Sequence, residues 1–258
     1  MREQLEALMR EAGALILSAS DINNAVSEKE GPANFVTTYD VKVQRMLRSG
    51  LQALRPGSRF VGEEEDAQDD VHKGEVFIVD PIDGTTNFIK GCNASAVSVA
   101  MLRDGQAVLG AVYDPYRDEF FFAEKGKGAT CNGVPLHVAD EDLSQSLVCF
   151  GTSPYNPELI PPTFALAQRL VQEGLDLRRS GSAVIDLCQV ARGAAGLMFE
   201  MRLCPWDHAA AGFIVTEAGG RISQINGEPI RYDRPCTTVA GTPGAWEDFF
   251  RLGLDKLQ

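Results

Sequence analysis

The stretch Val76-Phe77-Ile78-Val79-Asp80-Pro81-Ile82-Asp83-Gly84-Thr85-Thr86-Asn87-Phe88 limits the folds open to this chain more than any other segment. Its first four residues, apolar with β-branched and aromatic side chains, predict a strand. That strand delivers Asp80 at its carboxyl end, and Asp83 follows three residues later. Pro81 fixes φ and has no backbone N–H, so the segment is expected to turn rigidly after Val79. Gly84 permits close backbone approach or a positive φ. Thr85-Thr86 is placed to open a helix, whose first N–H groups favour an anion. The two carboxylates, with the Ile82 carbonyl between them, are hard oxygen ligands of the kind Mg²⁺ prefers. A surface turn rich in Asp and Gly is the plain alternative.

The spacing separates two chemistries. An Asp-x-Asp-Gly-Thr segment, with its first aspartate as a covalent nucleophile, has one residue fewer. The extra residue here changes which side chains share a face after the strand. Two further acidic segments accompany the first. Gly62-Glu63-Glu64-Glu65-Asp66 follows the apolar pair Phe60-Val61. Taken alone such a run reads as a solvated loop, but the apolar pair anchors it to the core. In Cys204-Pro205-Trp206-Asp207-His208, Asp207 sits where an N-cap belongs, before a small-residue helix. His208 reads as a polar residue of the first turn, and with His72 and His137 it gives no zinc pattern.

Charge narrows the partners. The 258 residues carry a formal net charge of -12, so nucleic-acid and anionic-membrane partners are not expected. An anionic substrate would need a local source of positive potential, which bound metal ions supply. Six cysteines (Cys92, Cys131, Cys149, Cys188, Cys204, Cys236) form no C-x-x-C pair. They read as buried or half-buried free thiols in a reducing compartment. The acidic start Met1-Arg2-Glu3 is unlike a signal peptide, and no apolar run approaches the ~18–20 residues of a span. A soluble, cytoplasmic protein is expected.

Periodicity predicts a helix through Leu5, Leu8, Met9, Ala12, Leu15 and Ile16, then a loop over residues 26–34. A second helix is expected over Thr38–Leu54 with Val41, Met46, Leu47, Leu51 and Leu54 inward. Strands over 95–101 and 107–113, joined at Arg103-Asp104-Gly105-Gln106, and Glu119–Ala123 make a meander. From about Leu147, short strands (147–150, 196–200, 220–225, 237–240) alternate with helical stretches (157–173, 183–192, 207–218, 244–256). The chain thus reads as an α+β half, residues 1–142, and an α/β half, residues 143–258, in one compact unit.

Taken together, the Gly-Glu-Glu segment, the Asp-Pro-Ile-Asp-Gly-Thr-Thr-Asn-Phe segment and the late Trp206-Asp207 through Thr216-Glu217-Ala218-Gly219-Gly220 resemble the inositol monophosphatase family, within the Mg²⁺-dependent, lithium-sensitive phosphatases. Asn34-Phe35-Val36-Thr37-Thr38-Tyr39-Asp40 resembles that family's upstream Val-Thr-x-x-Asp element. The match runs over about residues 5–245.

The resemblance implies a layered α/β/α/β/α sandwich of the inositol monophosphatase / fructose-1,6-bisphosphatase type. It implies a homodimer that hydrolyses a small phosphate monoester, inositol monophosphate first, by direct attack of a metal-activated water. Fructose 1,6-bisphosphate, histidinol phosphate or a 3′-phosphonucleotide are alternatives, and a non-enzymatic binding protein is a more distant one. Two to three Mg²⁺ ions are implied. Glu63, Asp80 and the Ile82 carbonyl would hold one; Asp80, Asp83 and Asp207 a second; a third would sit near Glu63. Glu64, Thr85 and Asp40 would activate the water. The Gly84 and Thr85 N–H groups would receive the phosphate. Gly181, Ser182 and Glu200 match positions that contact the alcohol, and Lys29 a lysine on the preceding loop. Ser182 stands where threonine is common, and Arg202 lies near the expected substrate mouth.

Overall fold

The computed structural model describes residues 1–20, 22–28, 35–65 and 69–256. Lys29, Asn34 and Asp66 lie outside the described residues. The first helix, α1 (Arg2–Leu17), buries Leu5, Met9, Ala12 and Ile16, as the periodicity predicts. Within the segment expected to be a loop, β1 (Val26–Glu28) pairs antiparallel with β2 (Phe35–Thr37).

Helix α2 (Thr38–Leu54) has the predicted bounds but a different inner face. Asp40, Val43, Gln44, Leu47 and Leu51 are buried, whereas Val41, Met46 and Leu54 are only half-buried. The inward stripe contains two polar residues that have jobs near the cleft, and an apolar-only pattern misplaces it. A capping box starts the helix: the Thr37 hydroxyl accepts from Tyr39 N–H at 3.1 Å, and Asp40 Oδ2 accepts from Thr37 N–H at 2.7 Å.

Seven strands follow: β3 (Arg59–Gly62), β4 (Glu75–Asp83), β5 (Ala96–Arg103), β6 (Gln106–Asp114), β7 (Glu119–Glu124), β8 (Ala129–Cys131) and β9 (Val134–Leu136). They form one sheet in chain order, with β3 parallel to β4 and every other pair antiparallel. Between β4 and β5 lies α3 (Thr85–Lys90). The second half adds β10 (Leu147–Phe150), α4 (Ile160–Glu173), β11 (Asp176–Arg178), α5 (Ala183–Ala191), β12 (Leu197–Leu203), α6 (Pro205–Glu217), β13 (Arg221–Ser223), β14 (Cys236–Gly241) and α7 (Pro243–Arg251). Its five strands run in the order β11-β10-β12-β14-β13. Strand β11 is absent from the sequence reading; three residues with one apolar side chain carry no alternation to detect.

Three apolar clusters define the layers. Leu5, Met9, Val43 and Leu47 of α1 and α2 pack on Phe77, Val79, Val99 and Leu109 of the large sheet. The opposite face of that sheet, through Val76, Ile78, Ala100 and Val112, packs on α5 and α6, which also meet Cys149, Met198 and Ala240 of the small sheet. The far face of the small sheet, through Val148, Phe199 and Val239, packs on Leu166 and Leu170 of α4 and Phe249 of α7. The result is an α/β/α/β/α sandwich. Helix α6 lies at its centre and is buried on nearly every side, from Pro205 and His208 to Val215. Its run of alanines follows from that position. A Cβ on Gly110 of β6 would come within 2.5 Å of the Ala210 carbonyl oxygen, so sheet and helix backbones nearly touch.

No helix among the described residues is long and apolar enough to cross a membrane. The thiols depart from expectation at one position: Cys92 is exposed, while the others are buried or half-buried.

Candidate metal centre and active-site cleft

The Asp-Pro-Ile-Asp segment is not the turn that Pro81 suggests. Strand β4 continues through it to Asp83. Asp80 pairs with Ser98 and Asp83 with Ala96, so β4 takes three steps where β5 takes two. That extra residue is a bulge, a place where a sheet tolerates proline. In a regular strand, residues three apart point to opposite faces. The bulge corrects the phase: Ser98 and Ala96 share a face, and so do the aspartates opposite them. Both carboxylates thereby face the layer holding α6. Gly84 then takes a left-handed conformation, φ 86°, and starts α3.

Asp207 arrives from α6. It is not the N-cap; Cys204 holds that position and Asp207 stands three residues on. Its Oδ2 accepts from Cys204 N–H at 2.6 Å, which turns the carboxylate back over the helix start. The ligand atoms of Asp80, Asp83 and Asp207 lie within 4.8 Å of one another. Neighbouring His208 stands in the first turn of α6, as expected, but it is 1% exposed and burial pulls its pKa down to about 4, so it belongs to the core.

The triad forms one wall of a cleft of about 230 Å³ between the two sheets. Glu63, Ile82, Gly84, Thr85, Gly181, Ser182 and Glu200 also line it. Asp40 and Glu64 are not among the described residues lining it. Asp40 is fully buried behind Thr85, whose hydroxyl lies 3.2 Å from Asp40 Oδ1 and 3.1 Å from the Ile82 carbonyl oxygen. Glu63 follows β3 directly and its N–H donates to the Val79 carbonyl at 3.2 Å. The Glu64 N–H donates to Gln44 Oε1 at 3.0 Å, which gives α2's buried glutamine its purpose.

Asp83 is gripped from the other half of the chain. The Ser182 hydroxyl and the Val184 N–H, the latter at 2.9 Å, both donate to its Oδ2. Glu200 Oε1 accepts from the Ser153 N–H at 3.2 Å and from the Ser153 hydroxyl at 3.0 Å.

Burial dominates the electrostatics. It raises Asp80 and Asp207 well above the ordinary carboxylate range, and repulsion among Glu63, Asp83 and their neighbours adds to the rise. Asp83 is raised to about 6, held from going higher by its bonds to Ser182 and Val184. Burial also raises Glu200 to about 7 and lifts Asp40. Arg179 is the single cationic side chain among the described cleft-lining residues. A converging set of carboxylate oxygens fits a hard divalent cation.

The lining residues that escape the sequence reading include Asp186, Ser153, Tyr155 and Arg179. Asp186 had one available signal, a lone acid in the otherwise apolar or uncharged helix Ala183–Ala191. Ser153 and Tyr155 lie in a segment with no pattern of its own.

The sequence profile of the inositol monophosphatase family matches residues 1–250. The chain belongs to the inositol monophosphatase family. Inositol monophosphatase 1 of Mus musculus is 37% identical over 230 residues, which cover 86% of this chain and 83% of that protein. Among solved structures, extragenic suppressor protein suhB from Bartonella henselae superposes with a TM-score of 0.88 at 30% identity, covering 99% of this chain and 97% of that one. The inositol monophosphate bound form of SaIMPase-II matches with a TM-score of 0.85 at 27% identity, covering 99% and 95%. The five-layer sandwich described above is this family's fold, and the cluster of Asp80, Asp83 and Asp207 could hold a divalent metal.

Proposed function

We propose that this chain is a Mg²⁺-dependent phosphatase that hydrolyses inositol monophosphate to inositol and phosphate. The observation that carries the reading is the convergence of Asp80, Asp83 and Asp207 within 4.8 Å in a cleft shared by both halves of the chain. Membership of a family whose members include inositol monophosphatases selects the substrate. Asp80, Asp83 and Asp207, with Glu63 and the Ile82 carbonyl, would hold two to three Mg²⁺. Bound there, Mg²⁺ polarises the phosphoryl group and neutralises charge that this acidic cleft alone would repel.

The chain's own residues supply orientation and proton transfer. The Gly84 and Thr85 N–H groups receive phosphoryl oxygens. The Thr85 hydroxyl, within reach of Asp40 Oδ1, takes the proton of the attacking water and passes it to that buried carboxylate. Glu64, its backbone fixed on Gln44, assists from outside the cleft lining. Glu200, Ser182 and the turn at Gly181 face the alcohol, and hydroxyls of a polyol suit carboxylate acceptors. No residue of this arrangement needs to form a covalent phosphoenzyme, so hydrolysis in ¹⁸O-water should invert configuration at phosphorus.

The halves 1–142 and 143–258 act as one unit in this reading, and a cytoplasmic homodimer accompanies it; light scattering tests the dimer. Phosphate release should be measured with Mg²⁺ for inositol monophosphate, fructose 1,6-bisphosphate, histidinol phosphate and a 3′-phosphonucleotide. Inositol monophosphate should give the highest kcat/KM. A higher value for another ester would reassign the substrate, and no release from any would leave a binding protein.

A further inference from the structure

Asp186 is an acid that the proposed chemistry does not use. It sits on α5, 3% exposed, and borders the cleft. Its Oδ1 accepts from the Ser180 N–H at 3.4 Å, and the Cys149 thiol of β10 lies near the same carboxyl group. Ser180 is the start of a tight turn. Its hydroxyl donates to the Ser182 carbonyl at 2.9 Å and accepts from the Ser182 N–H at 3.1 Å. Its own carbonyl accepts from Asn87 Nδ2 of α3 at 3.0 Å. From the end of this turn, Ser182 donates its hydroxyl to Asp83.

These contacts form one line from Asp186 through Ser180 and Ser182 to Asp83. The line crosses from the small-sheet half to the large-sheet half. Asp83 has few other ways to hold its orientation, since its Oδ2 takes both of its donors from the region after Ser180. A ligand carboxylate that rotates away from its neighbours loses affinity without any change in the ligand set.

We propose that Asp186 is a positioning residue for metal binding: it fixes the Ser180–Ser182 turn and, through Ser182, aims the Asp83 carboxylate at the position shared with Asp80 and Asp207. The proposal rests on the reading of that triad as the metal centre. Direct participation is a different role and would depend on the charge of Asp186. Positioning needs only its oxygen as an acceptor.

The test is Mn²⁺ binding to the purified full-length chain, followed by electron paramagnetic resonance, with thermal melts alongside. Asp186→Ala should weaken Mn²⁺ binding by about tenfold, the lower end of the cost of removing a ligand's supporting partner. Asp186→Asn, whose amide oxygen can still accept from Ser180 N–H, should bind Mn²⁺ as the wild type does. Asp186→Ser keeps a polar group but is too short to reach Ser180; it should match the alanine variant and serves in its place if that one fails to fold. Wild-type binding in both short variants overturns the proposal, because the turn then needs no anchor. Equal weakening in Asp186→Asn also overturns it, in favour of a role for the charge. A wild-type chain that binds no Mn²⁺ overturns the metal centre itself.

Discussion

The Ser182 hydroxyl donates to the Asp83 carboxylate, a bond between residues 99 positions apart that closes the cleft from the second half of the chain. Ser182 also caps α5, accepting from the Ile185 N–H at 3.2 Å. Ser182→Ala therefore removes a helix cap and a partner of a buried carboxylate together. The cap alone costs about 1 kcal/mol. The stability loss, read from urea unfolding, should exceed that. Turnover should fall about tenfold as Asp83 loses its aim. Ser182→Thr keeps the hydroxyl and should retain most activity; a threonine variant as impaired as alanine would show that the hydroxyl is not what matters.

Asp83→Asn separates function from folding. The side chain keeps its shape and can still accept from Val184 N–H. Turnover should drop by orders of magnitude, because a hard cation loses an anionic ligand. The metal-free protein should melt at a higher temperature than the wild type. Burial raises the Asp83 pKa to about 6, so its charge disfavours the folded state at neutral pH. A lower melting temperature without metal would mean that Asp83 holds the fold together rather than straining it.

The layers were largely legible in the sequence because their faces are apolar and periodic. The first helix, the meander and the βα alternation of the second half all follow from hydrophobic spacing. Errors came where polar residues serve the cleft. Asp40 and Gln44 displaced Val41 from the inner stripe of α2, and β4 ran on past Pro81 because a bulge accommodates both the proline and the phase of Asp83. The spacing of Asp80 and Asp83 was readable, but not the bulge that puts them on one face. Ser153 and Arg179 were invisible for another reason: they lie in irregular segments, and local pattern carries no record of where such a segment packs.

Stability without metal should fall as pH rises. Asp83, Asp186 and Glu200 have folded-state pKa values near 6, 7 and 7, above their ordinary values of 3.8, 3.8 and 4.5, with burial the largest cause in each case. The folded chain thus binds more protons than the unfolded one between about pH 4 and 7. Each such group favours folding at low pH, and that advantage is lost as pH rises through its folded value. The shift of Glu200 alone corresponds to up to about 3 kcal/mol. Urea midpoints in EDTA should be higher at pH 5.5 than at pH 8. Mg²⁺ at pH 8 should raise the midpoint again by binding only the folded, ionised cluster. A midpoint that climbs with pH in EDTA would contradict the direction of all three shifts.

Gly151 gives the sharpest test of the alcohol side of the cleft. It lines the cavity, and a Cβ built there would lie 2.0 Å from Glu200 Oε2. Gly151→Ala must therefore push the Glu200 carboxylate aside, against the bonds that tie Oε1 to Ser153. The triad of Asp80, Asp83 and Asp207 lies on other elements and is left in place. The expected result is a split: KM for inositol monophosphate rises about tenfold, as for loss of a polar contact worth roughly 1–2 kcal/mol. The Mg²⁺ concentration for half-maximal activity should stay at the wild-type value. If the Mg²⁺ requirement moves while KM does not, Glu200 belongs with the metal ligands and not with the substrate.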